Sequence, residues 1–217
     1  MNKVINTEQL IQLYKKGYFP MAENVNCERI SFYKPAKRFI IPIESFHIPK
    51  KLFSKFKKEK YQFKINSNFL SVIENCANNR KKNNGTWINQ TMKDTYVNLY
   101  IQGYAKSVEC FYDNLLVGGL YGLHIGACFF GESMFSHQTD TSKLCLLFLI
   151  SILKNNNFKL LDSQFYNTHL LQFGAYEISD QKYQKQLIAG INEECIFPES
   201  FNYQKSFSIL QSLSHKS

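Results

Sequence analysis

Asp162 and Gln164 stand two residues apart in LLDSQ, a segment whose apolar lead-in reads as a short strand. On a strand, positions i and i+2 face the same side. A carboxylate and an amide aimed together from an apolar strand need partners, because burying an unpaired polar group is costly. Such a pair can orient an amine, and the carboxylate can accept its proton directly or through water. The alternative is a strand end, with Asp162 closing a nearby turn. Glu132 is a second candidate, set in GESMF among Phe129, Phe130, Met134 and Phe135. Either it is a charge kept in a pocket, as functional carboxylates often are, or it is an exposed strand end.

Other chemistries find little support. The five histidines are scattered, and GESMF lacks the second glycine of a G-x-S-x-G elbow. No phosphate-binding or dinucleotide-binding glycine motif occurs, so VGGLYG is not a nucleotide fingerprint. Six cysteines form no C-x-x-C pair and have no histidine at zinc-finger spacing, so no structural metal is expected. Several lie in apolar runs, where free cysteine behaves as a small hydrophobe, as in a reducing cytoplasm. With 44% hydrophobic and 20% charged residues, the chain is an ordinary globular one. Its net charge of +9 favours a polyanionic partner, nucleic acid before an anionic membrane, or else records a lysine-rich solvated surface. The N-terminus has no apolar signal core, and the run from Leu144 to Leu153 is too short to span a bilayer. A cytoplasmic protein without a membrane partner is the expectation.

The elements that must position these residues follow from periodicity. Residues 7–16 predict a short amphipathic helix stopped by Gly17. The aromatic stretches GYFPMAEN and SFYKPAKR read as turn-like, and a small N-terminal unit is placed at 1–37, before a main domain at 38–217. Phe39 to Ile43 predicts a strand. Lys50, Lys51, Lys55, Lys57, Lys58 and Lys60 surround Leu52, Phe53 and Phe56, which suggests a helix with a buried side. Its lysine side is either a phosphate-contacting surface or a solvated face. A helix is expected over 67–79, and another capped by Thr86, with Trp87 in its first turn as a core anchor or a ligand platform. A β-meander then runs through Val108–Tyr112, an Asp113-Asn114 turn, Leu115–Tyr121, a turn over 122–126, and Ala127–Phe135. After it comes a buried helix with Thr139, Asp140 or Thr141 as its cap, then the strand of LLDSQ, a helical turn ended by Gly174, and QKYQKQLIAG as the last helix. The order predicts an α+β fold whose mixed, mainly antiparallel sheet is flanked by helices.

LYKKGYFPM, GTWI, VGGLYG, GESMFS, TSK and LLDSQ…HL…FGA appear in this order from Leu13 to about Leu187. Together they strongly resemble the leucyl/phenylalanyl-tRNA–protein transferases. The resemblance implies an acetyltransferase-like (GNAT-type) domain behind a small N-terminal unit. It implies transfer of Leu or Phe from charged tRNA to an N-terminal Arg or Lys of a protein, marking that protein for degradation (the N-end rule). Whether Leu, Phe or Met is preferred stays open. No cofactor is implied, because the tRNA ester is already activated, and a monomer is expected. By position, Asp162 and Gln164 match the catalytic pair and Glu132 the glutamate that helps hold substrate. Leu120, Phe129, Leu146, Leu149 and Leu153 would line the side-chain pocket. Trp87 and Tyr14 match aromatics near the terminal adenosine, where Met21 replaces a further aromatic. Lys50, Lys51, Lys55, Lys57 and Lys58 match a tRNA-contacting patch. Ser163 stands where the family has cysteine, which argues against a thioester route there. Phe32-Tyr33-Lys34-Pro35 replaces Trp-Trp-Ser-Pro, and Thr141 replaces an alanine. Two other readings remain: another GNAT-type acyltransferase, although SHQTDTSK offers little glycine for a pyrophosphate loop, and a non-catalytic tRNA-binding protein.

Overall fold

The computed structural model describes residues 5–24, 26–27, 29–81 and 87–214. Helix α1 (Thr7–Lys15) starts where the Asn6 side chain accepts the Gln9 N–H at 2.9 Å, and it buries Leu10, Ile11 and Tyr14. The aromatic segments after it are not turns. They form a two-stranded antiparallel ribbon of β1 (Phe19–Ala22) and β2 (Ile30–Tyr33), in register Phe19 to Tyr33. Phe19, Pro20 and Ala22 are buried and Met21 is half-buried, while β2 is the more exposed strand of the ribbon.

Seven strands make the main sheet: β3 (Lys37–Ile40), β4 (Gln62–Ile65), β5 (Ala105–Tyr112), β6 (Leu115–Ile125), β7 (Cys128–Ser136), β8 (Leu160–Asp162) and β9 (Tyr176–Ser179). Their order is β4-β5-β6-β7-β8-β3-β9, and every neighbouring pair is antiparallel except β7 with β8. The mixed, mostly antiparallel α+β expectation therefore holds. One face of the sheet carries α2 (Lys50–Phe56), α5 (Thr141–Asn155) and α7 (Tyr203–Ser214); the other carries α1, α3 (Phe69–Lys81), α4 (Gln90–Ile101) and α6 (Asp180–Ile191).

Asp113 and Asn114 both have positive φ, as a two-residue hairpin turn requires. The next connection differs from expectation. β6 does not stop at Tyr121 but runs through Gly122 to Ile125. Gly122 is there because a Cβ would fall on the Phe130 carbonyl and the Phe129 ring. At Gly118 a Cβ would lie 2.5 Å from Thr141 Cβ, so that glycine lets α5 approach the sheet. Register moves from Tyr121↔Ser133 to Gly122↔Gly131, which leaves Glu132 as the extra residue of a β-bulge on β7.

Helix α5 is buried nearly all round, as predicted, but its cap is different. Asp140 sits at φ 70 with no capping bond, while the Ser136 hydroxyl accepts the Ser142 N–H at 2.9 Å. Thr141 Oγ1 instead donates to the Val117 carbonyl at 2.7 Å. Thr86, the expected cap of α4, lies outside the described residues; Asn89 caps that helix by accepting the Met92 N–H at 2.8 Å, and Trp87 precedes it. Helix α7 was not expected, because its serine-rich sequence has only a narrow apolar stripe ending in Leu210 and Leu213. Its Ser206 packs hydroxyl to hydroxyl against Ser151 of α5, at 2.6 Å. No helix among the described residues is long and apolar enough to cross a membrane.

Candidate active site

β7 and β8 pair side by side only as far as Phe130↔Asp162. Beyond that rung β7 continues, while the chain leaving β8 turns towards β3. There the Ser163 N–H donates to the Phe39 carbonyl at 3.0 Å, and the Phe39 N–H to the Gln164 carbonyl at 3.1 Å. The fork encloses a cavity of about 230 Å³. Leu120, Leu146, Leu149, Leu161, Leu170 and Ile41 give it apolar walls. Glu132 from the bulge, Asp162 and Gln164 also line it.

Glu132 is 8% exposed. Its Oε1 accepts from the Tyr14 hydroxyl at 2.7 Å and from Gln164 Nε2 at 3.2 Å. Tyr14 OH also lies 2.6 Å from Tyr96 OH. A phenol has one proton, and Tyr14 gives its own to Glu132, so Tyr96 donates to Tyr14. Burial pushes both phenols well above their usual range, so they remain donors. Burial also pushes the Glu132 carboxyl up to about 7; the hydrogen bond from Tyr14 pulls it down, Asp162 pushes it up and Arg38 pulls it down. A carboxylate only accepts, so Gln164 must turn its amide nitrogen towards Glu132, which leaves its amide oxygen to accept from a ligand.

Asp162 and Gln164 do not share a strand face. β8 ends at Asp162, and Gln164 adopts φ +61, in the left-handed region. While the Gln164 side chain donates to Glu132, the hydrogen bond from Gln164 to Asp162 comes from its backbone, whose N–H donates to Oδ1 at 2.9 Å. Arg38 and Tyr183 also bond to this carboxylate. Two polar groups two residues apart are thus brought together by a turn rather than by pleat alternation, and Glu132 is the carboxylate that meets Gln164.

Among the expected pocket residues, Leu120, Leu146 and Leu149 line the cavity; Phe129 and Leu153 do not. Phe129 is fully buried and stacks on Phe197 with centroids 5.5 Å apart. Leu153 lies one turn farther along α5, in the closed core. Trp87 and Met21 are at the cavity, Trp87 half-buried. Tyr14 is fully buried and offers no ring to a nucleoside; its contact is with Glu132. Ser163 lines the cavity, and its hydroxyl bonds to the Phe39 carbonyl at 3.0 Å. In the lysine run, Lys50, Lys51 and Lys58 are exposed. Lys55 pairs with Asp140 at 3.4 Å, and the Lys57 ammonium lies 4.8 Å from the Phe53 ring centroid.

Sequence reasoning missed Ile41, Leu161 and Leu170, whose apolar type is the same in core and pocket. It also missed Tyr96, Arg38 and Tyr183. Arg38 carried one signal: arginine occurs only at 29, 38 and 80 in this lysine-rich chain, and Arg38 directly precedes the apolar run FIIPI. Phe165 and Tyr166, 42% and 53% exposed at the cavity, follow Gln164 directly. Among the described residues no group of three His, Cys, Asp or Glu side chains is placed to hold a metal ion.

The sequence profile of the family described as leucyl/phenylalanyl-tRNA protein transferase matches residues 40–188. The leucyl/phenylalanyl-tRNA–protein transferase of Paramagnetospirillum magneticum is 40% identical over 193 residues, which are 89% of this chain and 92% of that protein. The protein of the same name from Hyphomonas neptunium is 40% identical over 191 residues, covering 88% and 74%. Among solved structures, that of L-PGS from Bacillus licheniformis is similar with a TM-score of 0.42 at 10% identity, over 95% of this chain and 69% of that one, a likeness too slight to carry an argument.

Proposed function

The chain belongs to the leucyl/phenylalanyl-tRNA–protein transferase family, and we propose that it moves Leu or Phe from charged tRNA to an N-terminal Arg or Lys, with Glu132 taking the proton that the attacking amine loses. It is an aminoacyltransferase that acts on aminoacyl-tRNA and protein. The observation that carries the chemical reading is Glu132 itself. It is a buried carboxylate at the head of an apolar cavity, bonded to Gln164, with its proton affinity raised to about 7.

A base is most effective when its pKa lies near the working pH. The Leu or Phe side chain occupies the apolar cavity, which selects by size and polarity. The ester carbonyl then lies at the mouth, near Gln164. The Gln164 amide oxygen accepts one N–H of the acceptor amine and aims its lone pair at the ester carbon. As the C–N bond forms, an amine proton passes to ionised Glu132. The C–O bond to the ribose breaks, and the proton leaves with the ribose hydroxyl. Bond making and bond breaking balance without a further reactant, because the ester is already activated. Alignment supplies much of the rate.

We read residues 1–37 as a small N-terminal unit and 38–217 as a GNAT-like domain, a reading that the fork between parallel β7 and β8 supports. Trp87 at the cavity suits stacking on the terminal nucleoside, and exposed Lys50, Lys51 and Lys58 suit the tRNA backbone. We place the protein in the cytoplasm as a monomer, where its free cysteines fit a reducing milieu and its products become substrates for degradation. The test is transfer of labelled Leu from Leu-tRNA to a peptide beginning with Arg. No transfer by folded wild-type protein refutes the proposal.

A further inference from the structure

Arg38 lies on β3 with 1% exposure, and no motif points to it. Its guanidinium joins the polar groups beneath the cavity. Nε donates to both Asp162 oxygens at 2.9 and 3.0 Å, and Nη2 to Oδ2 at 2.7 Å. Nη1 donates to the Gly17 carbonyl at 2.8 Å. Aromatic rings pack on it, with Cζ 4.7 Å from the Phe19 centroid and 4.4 Å from that of Tyr183. The Tyr183 hydroxyl, from α6, donates to Asp162 Oδ2 at 2.8 Å.

A carboxylate has about four lone-pair sites. Arg38 Nε and the Gln164 N–H occupy Oδ1, and Arg38 Nη2 and Tyr183 occupy Oδ2. Asp162 has no site left for an attacking amine. What it holds is the chain at Gln164, in a left-handed conformation that a non-glycine residue keeps only when its surroundings enforce it. The other end of the guanidinium reaches Gly17, which closes the helix carrying Tyr14, and Tyr14 bonds to Glu132. One side chain therefore references both members of the Gln164–Glu132 pair, one through Asp162 and the other through α1.

We propose that Arg38 and Tyr183 are positioning residues for aminoacyl transfer, clamping Asp162 so that the turn behind it presses Gln164 against Glu132. This rests on the reading of Gln164 as the residue that orients the amine. Lysine cannot replace Arg38, because one ammonium lacks the fork that spans two carboxylate oxygens and a carbonyl.

The test is a kinetic cycle in the full chain with Leu-tRNA and an Arg-started peptide, comparing Tyr183→Phe, Gln164→Ala and the double variant, with Arg38→Lys beside them. Losing one hydrogen bond to a buried charged group is expected to lower kcat about ten-fold in Tyr183→Phe, with the KM for Leu-tRNA within about two-fold. In the Gln164→Ala background the same change should cost less than about two-fold. Arg38→Lys should lower kcat further and keep the acid limb of the pH–rate profile in place, since the positive charge that acts on Glu132 remains. Gln164→Ala at the wild-type rate overturns the reading of Gln164. Gln164→Ala impaired, with Tyr183→Phe still costing its full factor on top, overturns the clamp while leaving that reading intact. Tyr183→Phe at the wild-type kcat also overturns the clamp. If Tyr183→Phe does not fold, Arg38→Lys takes its place in the same cycle with the same criteria.

Discussion

Replacing Glu132 by Gln should raise stability at alkaline pH while removing activity. Burial lifts this carboxyl from its usual 4.5 to about 7, so the folded protein binds the proton more tightly than the unfolded chain. Its stabilising contribution is fully present below about pH 4.5 and is lost as pH rises through about 7. At about 1.4 kcal/mol per pH unit, the full swing is about 3 kcal/mol. Glutamine keeps an acceptor for Tyr14 and Gln164 but cannot ionise. Urea unfolding of the two proteins should therefore nearly coincide near pH 4.5, and the variant should be more stable by up to about 3 kcal/mol near pH 8. Transfer should behave oppositely. Wild-type kcat/KM rises as Glu132 ionises through about pH 7, and Glu132→Gln loses about 100-fold or more. A variant that loses stability in step with activity refutes the argument. So do parallel stability curves from pH 4.5 to 8, because Glu132 would then carry no buried charge.

Other perturbations test separate parts of the fold and site. Leu149→Phe narrows the cavity of about 230 Å³ and should lower kcat/KM for Phe-tRNA about ten-fold more than for Leu-tRNA. Trp87→Ala removes a half-buried ring at the cavity; the KM for Leu-tRNA should rise about ten-fold while the KM for peptide stays unchanged. Changing Lys50, Lys51 and Lys58 together to Glu should weaken Leu-tRNA binding in filter assays and flatten its salt dependence by roughly three phosphate contacts. Gly122→Ala should lower urea stability by about 1–3 kcal/mol, since its methyl would meet the Phe130 carbonyl and the Phe129 ring.

Legibility in the sequence followed the range of the interaction. The buried helix α5, the Asp113-Asn114 hairpin and the stop at Gly17 are local events, set by periodicity and by residues that tolerate positive φ. The mixed, mainly antiparallel character of the sheet was also within reach, and three of the five leucine and phenylalanine positions expected at the pocket line the cavity. Helix α7 was not, because most of its stability comes from docking on α5 rather than from its own pattern. Nor was the extent of β6: its glycines look like a turn until the neighbouring ring that needs their space is known.

By itself, then, the sequence determined which residues are polar within apolar surroundings: Glu132, Asp162 and Gln164. Its ordered motifs pointed to the family. Only the tertiary structure decided which of those residues meet and what each one is bonded to. A one-residue bulge turns Glu132 towards Tyr14, a left-handed turn takes Gln164 off the strand and on to Glu132, and Arg38, Tyr183 and the Gln164 N–H together fill the sites on Asp162. The physical reason is distance along the chain. Arg38 and Asp162 are 124 residues apart, and Tyr14 and Glu132 are 118 apart. No spacing in a sequence encodes a hydrogen bond between segments that meet only when a sheet places β3 beside β8 and a helix packs across them.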